Sequence, residues 1–161
     1  SIFGTAGGTF STWLVQRSML TVGLRVKKQM DNADKLARAL EKDPHVIKVN
    51  YPTAEKYPQK ELAKKLFKNS NMCGAMLSFE MPSDREKINE FMKRLNICHY
   101  APTLGGVRTT MSHPATSSHR DLPEEMKKAL GITEGLMRIS VGIEEPEDLI
   151  ADFTQALKAF D

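Results

Sequence analysis

Residues 136–144 read LMRISVGIE, and this segment decides the fold class that we predict for the chain. Arg138 and Ser140 alternate with apolar neighbours, which is the period-two pattern of a strand with one buried face. Residues 144–148 follow directly and place acidic side chains and Pro146 where a helix would begin. An apolar stripe at helical spacing comes next, so a strand followed by an amphipathic helix predicts an α/β layer.

Further strands and helices are predicted upstream of this segment. Residues 83–86 read SDRE, a capping box that predicts the start of a helix. The first predicted helix is long, with a plausible kink at Gly23, and its first half is apolar almost all round, so that half should be buried against something larger. The predicted strands are residues 46–51, 72–80, 97–100 and 136–141, and the predicted helices cover 11–42 and 58–68, start at 83 and near 122, and close the chain from 144.

The composition indicates one ordinary domain that can bury a core without cross-links. The chain has 161 residues, 40% of them hydrophobic and 27% charged, and its formal net charge of +3 is spread through the predicted helices. Because the charge forms no block, a nucleic-acid partner is not expected. No apolar run is long enough to span a bilayer and residues 1–10 lack the features of a signal peptide, so we expect no membrane partner and a reducing, cytoplasmic compartment.

A glycine-rich segment opens the chain. Residues 4–9 read GTAGGT and precede a helix, so their backbone N–H groups could in principle bind a phosphate. The segment matches no phosphate-binding pattern and no strand precedes it, which favours a flexible linker. Because the chain begins without methionine, we interpret residues 1–10 as a linker from a missing domain and residues 11–161 as one α/β domain.

Two segments could carry chemistry. Arg138 would be costly to bury in a strand unless its planar guanidinium pairs with a carboxylate. That carboxylate could belong to a helix of the same chain or to a ligand, and the residues alone leave both readings open. In residues 101–120, Gly105 and Gly106 allow a sharp turn and Thr103 offers a hydroxyl, although the composition favours a surface loop.

The histidines and cysteines show no pattern of a metal or nucleophile site. The four histidines lack the spacing of metal ligands, so no metal is expected. Cys98 and His99 are neighbours on a predicted strand, which points them to opposite faces and prevents a nucleophile–base pair. We predict that Cys73 and Cys98 are both buried thiols.

Four motifs follow one another along the chain: FSTWLVQR at residues 10–17, TLGG at 103–106, HPATSSH at 113–119 and RISVGIE at 138–144. In this order and at these separations they resemble the Cys/Met-metabolism enzymes that depend on pyridoxal phosphate (PLP). That family includes the cystathionine γ-lyases, cystathionine γ-synthases, cystathionine β-lyases and methionine γ-lyases, and the resemblance extends from about residue 10 to residue 160.

The resemblance implies the small C-terminal domain of the aspartate-aminotransferase-type PLP fold, with about four strands in a mixed sheet, helices packed on it and a long helix before it. It also implies that Arg138 grips the α-carboxylate of an amino-acid substrate, with Thr103 and the backbone at Leu104 alongside. The implied parent is a homotetrameric lyase or transferase that acts on the C–S bond of a sulfur amino acid, with PLP bound mainly by a missing upstream domain.

The family's Schiff-base lysine and its cofactor-binding residues lie upstream of the resembling segment. No catalytic or cofactor-binding residue is therefore assigned in this chain, and the chain alone should be inactive. Three positions depart from the family: Pro102 and Arg108 stand where glutamate is common, and Thr103 replaces serine. Pro102 has no carboxylate that could pair with an amine at the far end of the substrate, which favours a substrate with a neutral sulfur side chain. The alternative is a free-standing α/β binding or interaction module without a cofactor.

Overall fold

The computed structural model describes residues 7–67 and 72–161. The first six residues of the predicted linker, the predicted loop at 69–71 and the last residue of the predicted helix 58–68 lie outside them. The described helices are α1 (Thr9–Met19), α2 (Val22–Lys42), α3 (Lys60–Leu66), α4 (Arg85–Arg94), α5 (Glu124–Ala129) and α6 (Pro146–Leu157), and a 3-10 turn spans Lys158–Phe160. The described strands are β1 (Lys48–Asn50), β2 (Met76–Glu80), β3 (His99–Tyr100), β4 (Thr110–Ser112) and β5 (Leu136–Ser140).

The described strands form one mixed sheet in the order β1-β2-β5-β4-β3. The segment 136–144 supplies the central strand β5, which pairs antiparallel with both β2 and β4, whereas β3 and β4 are parallel. The α/β class with a mixed sheet is confirmed, but the prediction of four strands is wrong by one. The extra strand β4 lies in the region 101–120, where a three-residue strand is too short to show a period.

One face of the sheet carries the core. Alternate strand residues point to this face, where helices α2, α4 and α6 complete a single apolar cluster. The rings of Phe91 and Phe153 both meet Phe79 of β2 edge-on, with centroids 6.1 Å away in each case. The strand residues buried in this cluster are Val49, Leu77, Phe79, Met111, Met137 and Ile139.

The long first helix of the prediction is two helices. The break falls at Leu20 and Thr21, between α1 and α2, and Gly23 lies inside the first turn of α2 rather than at a kink. A turn there needs no glycine, because Leu20 keeps right-handed helical angles and closes α1 with a bond from its N–H to the Arg17 carbonyl. No residue of α1 is buried by the described part of the chain, and Trp13 is 53% exposed.

Capping residues fix the ends of helices α4 and α5. Asp84, not Ser83, caps α4, since its carboxylate accepts bonds from the N–H groups of the second and third helical residues. Gly131 closes α5 with φ of 68°, a left-handed conformation that favours glycine. Cys98 is buried as predicted, whereas Cys73 is only half-buried, because β2 begins at residue 76 and not at 72.

Candidate functional site

The face of the sheet opposite the core carries a row of polar side chains. On β5 the side chains of Arg138 and Ser140 point to this face, because Met137 and Ile139 between them are buried in the core. The strand registers align one row across four strands. Its members, in order, are Asn50, Ser78, Arg138 and Ser112.

A cleft of about 320 Å³ opens over three members of this row and leaves out Ser112. Asn50, Ser78 and Arg138 contribute the polar part of its lining. His119 also lines the cleft, and its Nδ1 is 2.8 Å from the hydroxyl of Ser118. The remaining lining is mostly apolar, as expected for a small-molecule site, and comes from Met76, Leu77, Pro114, Ile132 and Leu136.

Arg138 lies half-buried in the cleft without a partner from the described residues. Its guanidinium makes no hydrogen bond there, and no described carboxylate lies within 4.0 Å of it. Of the two readings that the sequence left open, a helix carboxylate of residues 7–67 or 72–161 is therefore not observed. A guanidinium that has lost part of its hydration is costly unless an anion binds it, so an anion bound in the cleft would stabilise Arg138.

The loop that carries Thr103 and Leu104 lies beside this row. Thr110 donates its hydroxyl to the Thr103 carbonyl at 2.9 Å, and the N–H of Gly105 donates to the Ser140 hydroxyl at 2.9 Å. Thr110 and Ser140 are register partners, two residues along their strands from the row of Arg138. Thr103 and Leu104 themselves are exposed and do not line the cleft, so the structure brings Arg138 into the cleft and leaves these two at its side.

Helix α2 holds this loop and the turn after β5. The amide of Gln29, buried on α2, donates to the Gly106 carbonyl at 2.7 Å. One turn further, Asn32 donates to the carbonyls of Gly142 and Glu144 at 3.2 and 2.7 Å. Sequence analysis missed both contacts, although two amides on a helix face that is otherwise apolar were a signal for such anchoring.

The Glu144 carboxylate completes the anchoring. It accepts bonds from the N–H and the hydroxyl of Thr109 at 2.5 and 2.8 Å, and that hydroxyl also accepts from the Gly142 N–H at 2.9 Å. A side chain at Gly142 would overlap the Val107 carbonyl oxygen, so the close approach requires glycine there. Within the motif RISVGIE, the arginine lines the cleft, while the glycine and the glutamate hold residues 107–109 against the turn after β5.

The other polar candidates have structural surroundings. His113 is buried, with its Nε2 2.7 Å from the Glu134 carbonyl oxygen and its Nδ1 3.0 Å from the Thr116 hydroxyl. Burial, with the carboxylates of Asp152 and Glu144, raises the pKa of the Cys98 thiol far above its usual value. Such a thiol is a poor nucleophile.

Neither a metal site nor a membrane span emerges from the described ranges. No three His, Cys, Asp or Glu side chains of residues 7–67 and 72–161 come together as metal ligands. None of the helices described there is both long and apolar enough to cross a membrane. No lysine of the same residues lines the cleft.

Comparison with known proteins identifies the family. The profile of the Cys/Met metabolism PLP-dependent enzymes matches residues 1–158. The chain is 38% identical to the cystathionine beta-lyase of Lactococcus lactis over 155 residues, which is 96% of this chain and 40% of that protein. It is 39% identical to the L-methionine gamma-lyase of Treponema denticola over 154 residues, which is 96% of this chain and 38% of that protein.

A solved structure shares the fold. The chain superimposes with a TM-score of 0.84 and 35% identity on a Campylobacter jejuni protein assigned as an O-acetylhomoserine (thiol)-lyase, which contains N'-pyridoxyl-lysine-5'-monophosphate. The superposition covers 91% of this chain and 34% of that one. The chain thus spans about 40% of the length of the curated relatives it matches. A profile match over nearly every residue, together with this level of identity, shows that the chain belongs to the family of Cys/Met metabolism PLP-dependent enzymes.

Proposed function

We propose that this chain is the C-terminal segment of a PLP-dependent lyase or transferase that acts on the C–S bond of a sulfur amino acid, and that it supplies the clamp for the substrate carboxylate. The observation that carries the proposal is the half-buried Arg138, which has no partner among the described residues and lies in a cleft of a chain of this family.

The clamp works through the geometry of the guanidinium. Arg138 presents two parallel N–H donors that match the two oxygens of a carboxylate, and such bidentate, charge-assisted pairs are both strong and directional. Because the lining around it is mostly apolar, water competes poorly for these bonds once a substrate fills the cleft. The chain's own residues therefore fix one end of the substrate and orient the rest of it.

The loop with Thr103 and Leu104 is proposed to lie beside the bound carboxylate. Its anchors on Thr110 and Ser140 keep the loop next to the row of Arg138, and Gln29 holds its far end. The Thr103 hydroxyl and the backbone N–H at Leu104 would then be further donors beside the bound carboxylate. Positioning of this kind lowers the entropy cost of the reaction that follows.

The side chain of the substrate is proposed to be neutral and to contain sulfur. The cleft offers Met76, Ile132 and Leu136 as apolar contacts, and Pro102 on the nearby loop carries no charge. The relatives in the comparison include enzymes named for cystathionine and for L-methionine. The apolar lining supports the methionine-like alternative.

The cofactor and the rest of the assembly belong to the parent enzyme in this proposal. PLP, when bound, acts as the electron sink of such reactions, and the described cleft contains no lysine to hold it. Residues 1–10 would then be the linker from the PLP-binding domain, and residues 11–161 the C-terminal domain. The parent would be a homotetramer, and the isolated chain would be inactive.

The test is the replacement of Arg138 in the full-length protein. Arg138→Ala should lower kcat/KM for L-methionine by a factor of about 30 to 1,000, because it removes a charge-assisted pair worth about 2–4 kcal/mol. Arg138→Lys should recover part of this loss, since lysine keeps the charge but not the two-pronged geometry. Cofactor absorbance should be unchanged in both variants. An unchanged kcat/KM in the alanine variant would make Arg138 a structural residue.

A further inference from the structure

A serine lies beside Arg138 on the floor of the cleft. Ser78 of β2 is the direct register partner of Arg138 on β5, and both side chains line the cleft. Side chains paired in this way have Cβ atoms about 5 Å apart, so one small anion can touch both. The proposed clamp residue therefore has a hydroxyl as its immediate neighbour.

The hydroxyl of Ser78 is held by a second cleft residue. The amide of Asn50, the register partner of Ser78 on β1, donates to the Ser78 oxygen at 3.1 Å. This bond occupies one acceptor site of the hydroxyl and leaves its O–H to donate. The O–H finds no acceptor in the described part of the chain. The carboxylate of Glu80, two residues further along β2 on the same face, accepts a bond from the Thr133 hydroxyl at 2.8 Å.

We propose that the Ser78 hydroxyl donates an additional hydrogen bond to the carboxylate that Arg138 binds. In this proposal Asn50 is the positioning residue that orients the Ser78 hydroxyl. This inference rests on the proposed function of Arg138. A carboxylate has about four lone-pair sites and a bidentate guanidinium fills only two. The Ser78 hydroxyl fills a third from the β2 side.

A shared hydrogen-bonding role accounts for the polar side chains of this row on β1 and β2. Ser78 on the inner strand β2 and Asn50 on the edge strand β1 gain nothing from strand propensity, which favours β-branched and aromatic residues. In the row they form a chain of donors that runs from Asn50 through Ser78 toward the anion at Arg138. The chain makes the site selective for a charged carboxylate over a neutral amide, because an amide cannot accept from all of these donors.

The experiment measures binding without the reaction. The full-length protein is titrated by calorimetry with 4-(methylthio)butanoate, which has the carboxylate and thioether of methionine but no amino group, and with the matching 4-(methylthio)butanamide. Ser78→Ala should weaken binding of the carboxylate about tenfold, as expected for one hydrogen bond to a charged group, and leave binding of the amide unchanged. Ser78→Thr, which keeps a hydroxyl, should bind at least about fivefold more tightly than the isosteric Ser78→Val.

Asn50→Ala tests the positioning role. It should weaken binding of the carboxylate about threefold in the wild-type background and have no further effect in the Ser78→Ala background, since its action passes through Ser78. Ser112→Ala is the matched control, because Ser112 flanks Arg138 in the same row but does not line the cleft. Its carboxylate affinity should stay at the wild-type value.

The outcomes separate the two proposals. If Arg138→Ala leaves carboxylate affinity unchanged, the proposed clamp itself is wrong. If Arg138→Ala weakens binding but Ser78→Ala does not, or if the Thr and Val variants bind equally, only the role of Ser78 is overturned. An equal effect of Asn50→Ala in both backgrounds would leave Ser78 in the site and remove Asn50 as its positioning residue.

Discussion

Asp152 on α6 should be one of the most important polar residues for stability in the chain. The residue is 5% exposed, and its carboxylate accepts three backbone N–H bonds from the segment that joins α4 to β3. The donors are Asn96 at 2.8 Å, Ile97 at 2.9 Å and Cys98 at 3.2 Å. The Asp152 side chain thus provides the hydrogen-bond acceptors for three N–H groups directly before the edge strand β3.

The expected cost of Asp152→Asn follows from these three bonds. A hydrogen bond to a charged acceptor contributes about 1.5–3 kcal/mol, but two of the three lie where water can partly replace the lost acceptor. An amide also turns one acceptor oxygen into a donor that faces other donors. We therefore expect a loss of about 3 kcal/mol in the free energy of unfolding, or roughly 10 °C in Tm for a chain of this size.

The effect should depend on pH. Burial by itself would raise the pKa of Asp152, but the backbone N–H donors of residues 96–98 and the Gln155 amide outweigh it and hold the pKa below its usual value. A carboxyl with a depressed folded pKa stabilises the fold above its unfolded pKa of about 3.9, and that stabilisation is lost as the pH falls through the folded value.

The assay is urea unfolding of the wild type and of Asp152→Asn at pH 7 and at several values below 4. The gap between the two should be widest at neutral pH and shrink in acid. Asp148→Asn, an exposed carboxylate on the same helix, is the control and should cost less than about 1 kcal/mol. A gap below 1 kcal/mol at pH 7, or one that stays constant down to pH 2, would refute this reasoning.

Three further predictions concern packing, surface and cofactor. Gly135→Ala should destabilise the fold by about 2 kcal/mol in urea unfolding, because the new Cβ would overlap the Met81 carbonyl oxygen, whereas Gly23→Ala, with open space around it, should be neutral or stabilising. The 161-residue chain should self-associate through the exposed apolar face of α1, and Leu20→Ser should reduce this association. A chain that is monomeric by light scattering, with Trp13 shielded from fluorescence quenchers, would contradict the expectation. PLP followed by borohydride should label no single lysine of this chain stoichiometrically, and one dominant labelled site in a peptide map would contradict the proposal that the cofactor lysine lies outside this chain.

The structure limits the prediction of a buried apolar helix to α1. The sequence predicted that the apolar first half of the long helix is buried against something larger. In the described residues Trp13 and Leu20 remain exposed, and the helix breaks at Leu20 so that α1 is a separate element. Its partner stays a prediction, and the parent enzyme of the proposed function would supply it.

In residues 101–120 the sequence predicts the irregular part of the segment but not its strand. The two glycines and the turn residues correctly indicated an irregular segment around 103–108. The three-residue strand Thr110–Ser112 was missed, because its extended conformation is imposed by pairing with β5 rather than by a pattern of its own. The same pairing puts Ser112 next to Arg138.

By itself the sequence determined the features that depend on residues close together in the chain. The alternation in 136–140 predicted the central strand, the apolar stripes predicted helices α2, α4 and α6, and the motifs from TLGG to RISVGIE predicted the family that the comparisons confirm. These patterns are visible in the sequence because side chains point to the same face every two residues in a strand and every 3.6 residues in a helix.

Only the tertiary structure decided which polar residues meet. Asn50, Ser78 and Arg138 belong to three strands that are far apart in the chain, and a shift of register by one residue would turn any of them to the other face. The three N–H groups around Asp152 likewise come from another element. Register and long-range capping depend on how whole faces pack, and no local period in the sequence encodes that choice.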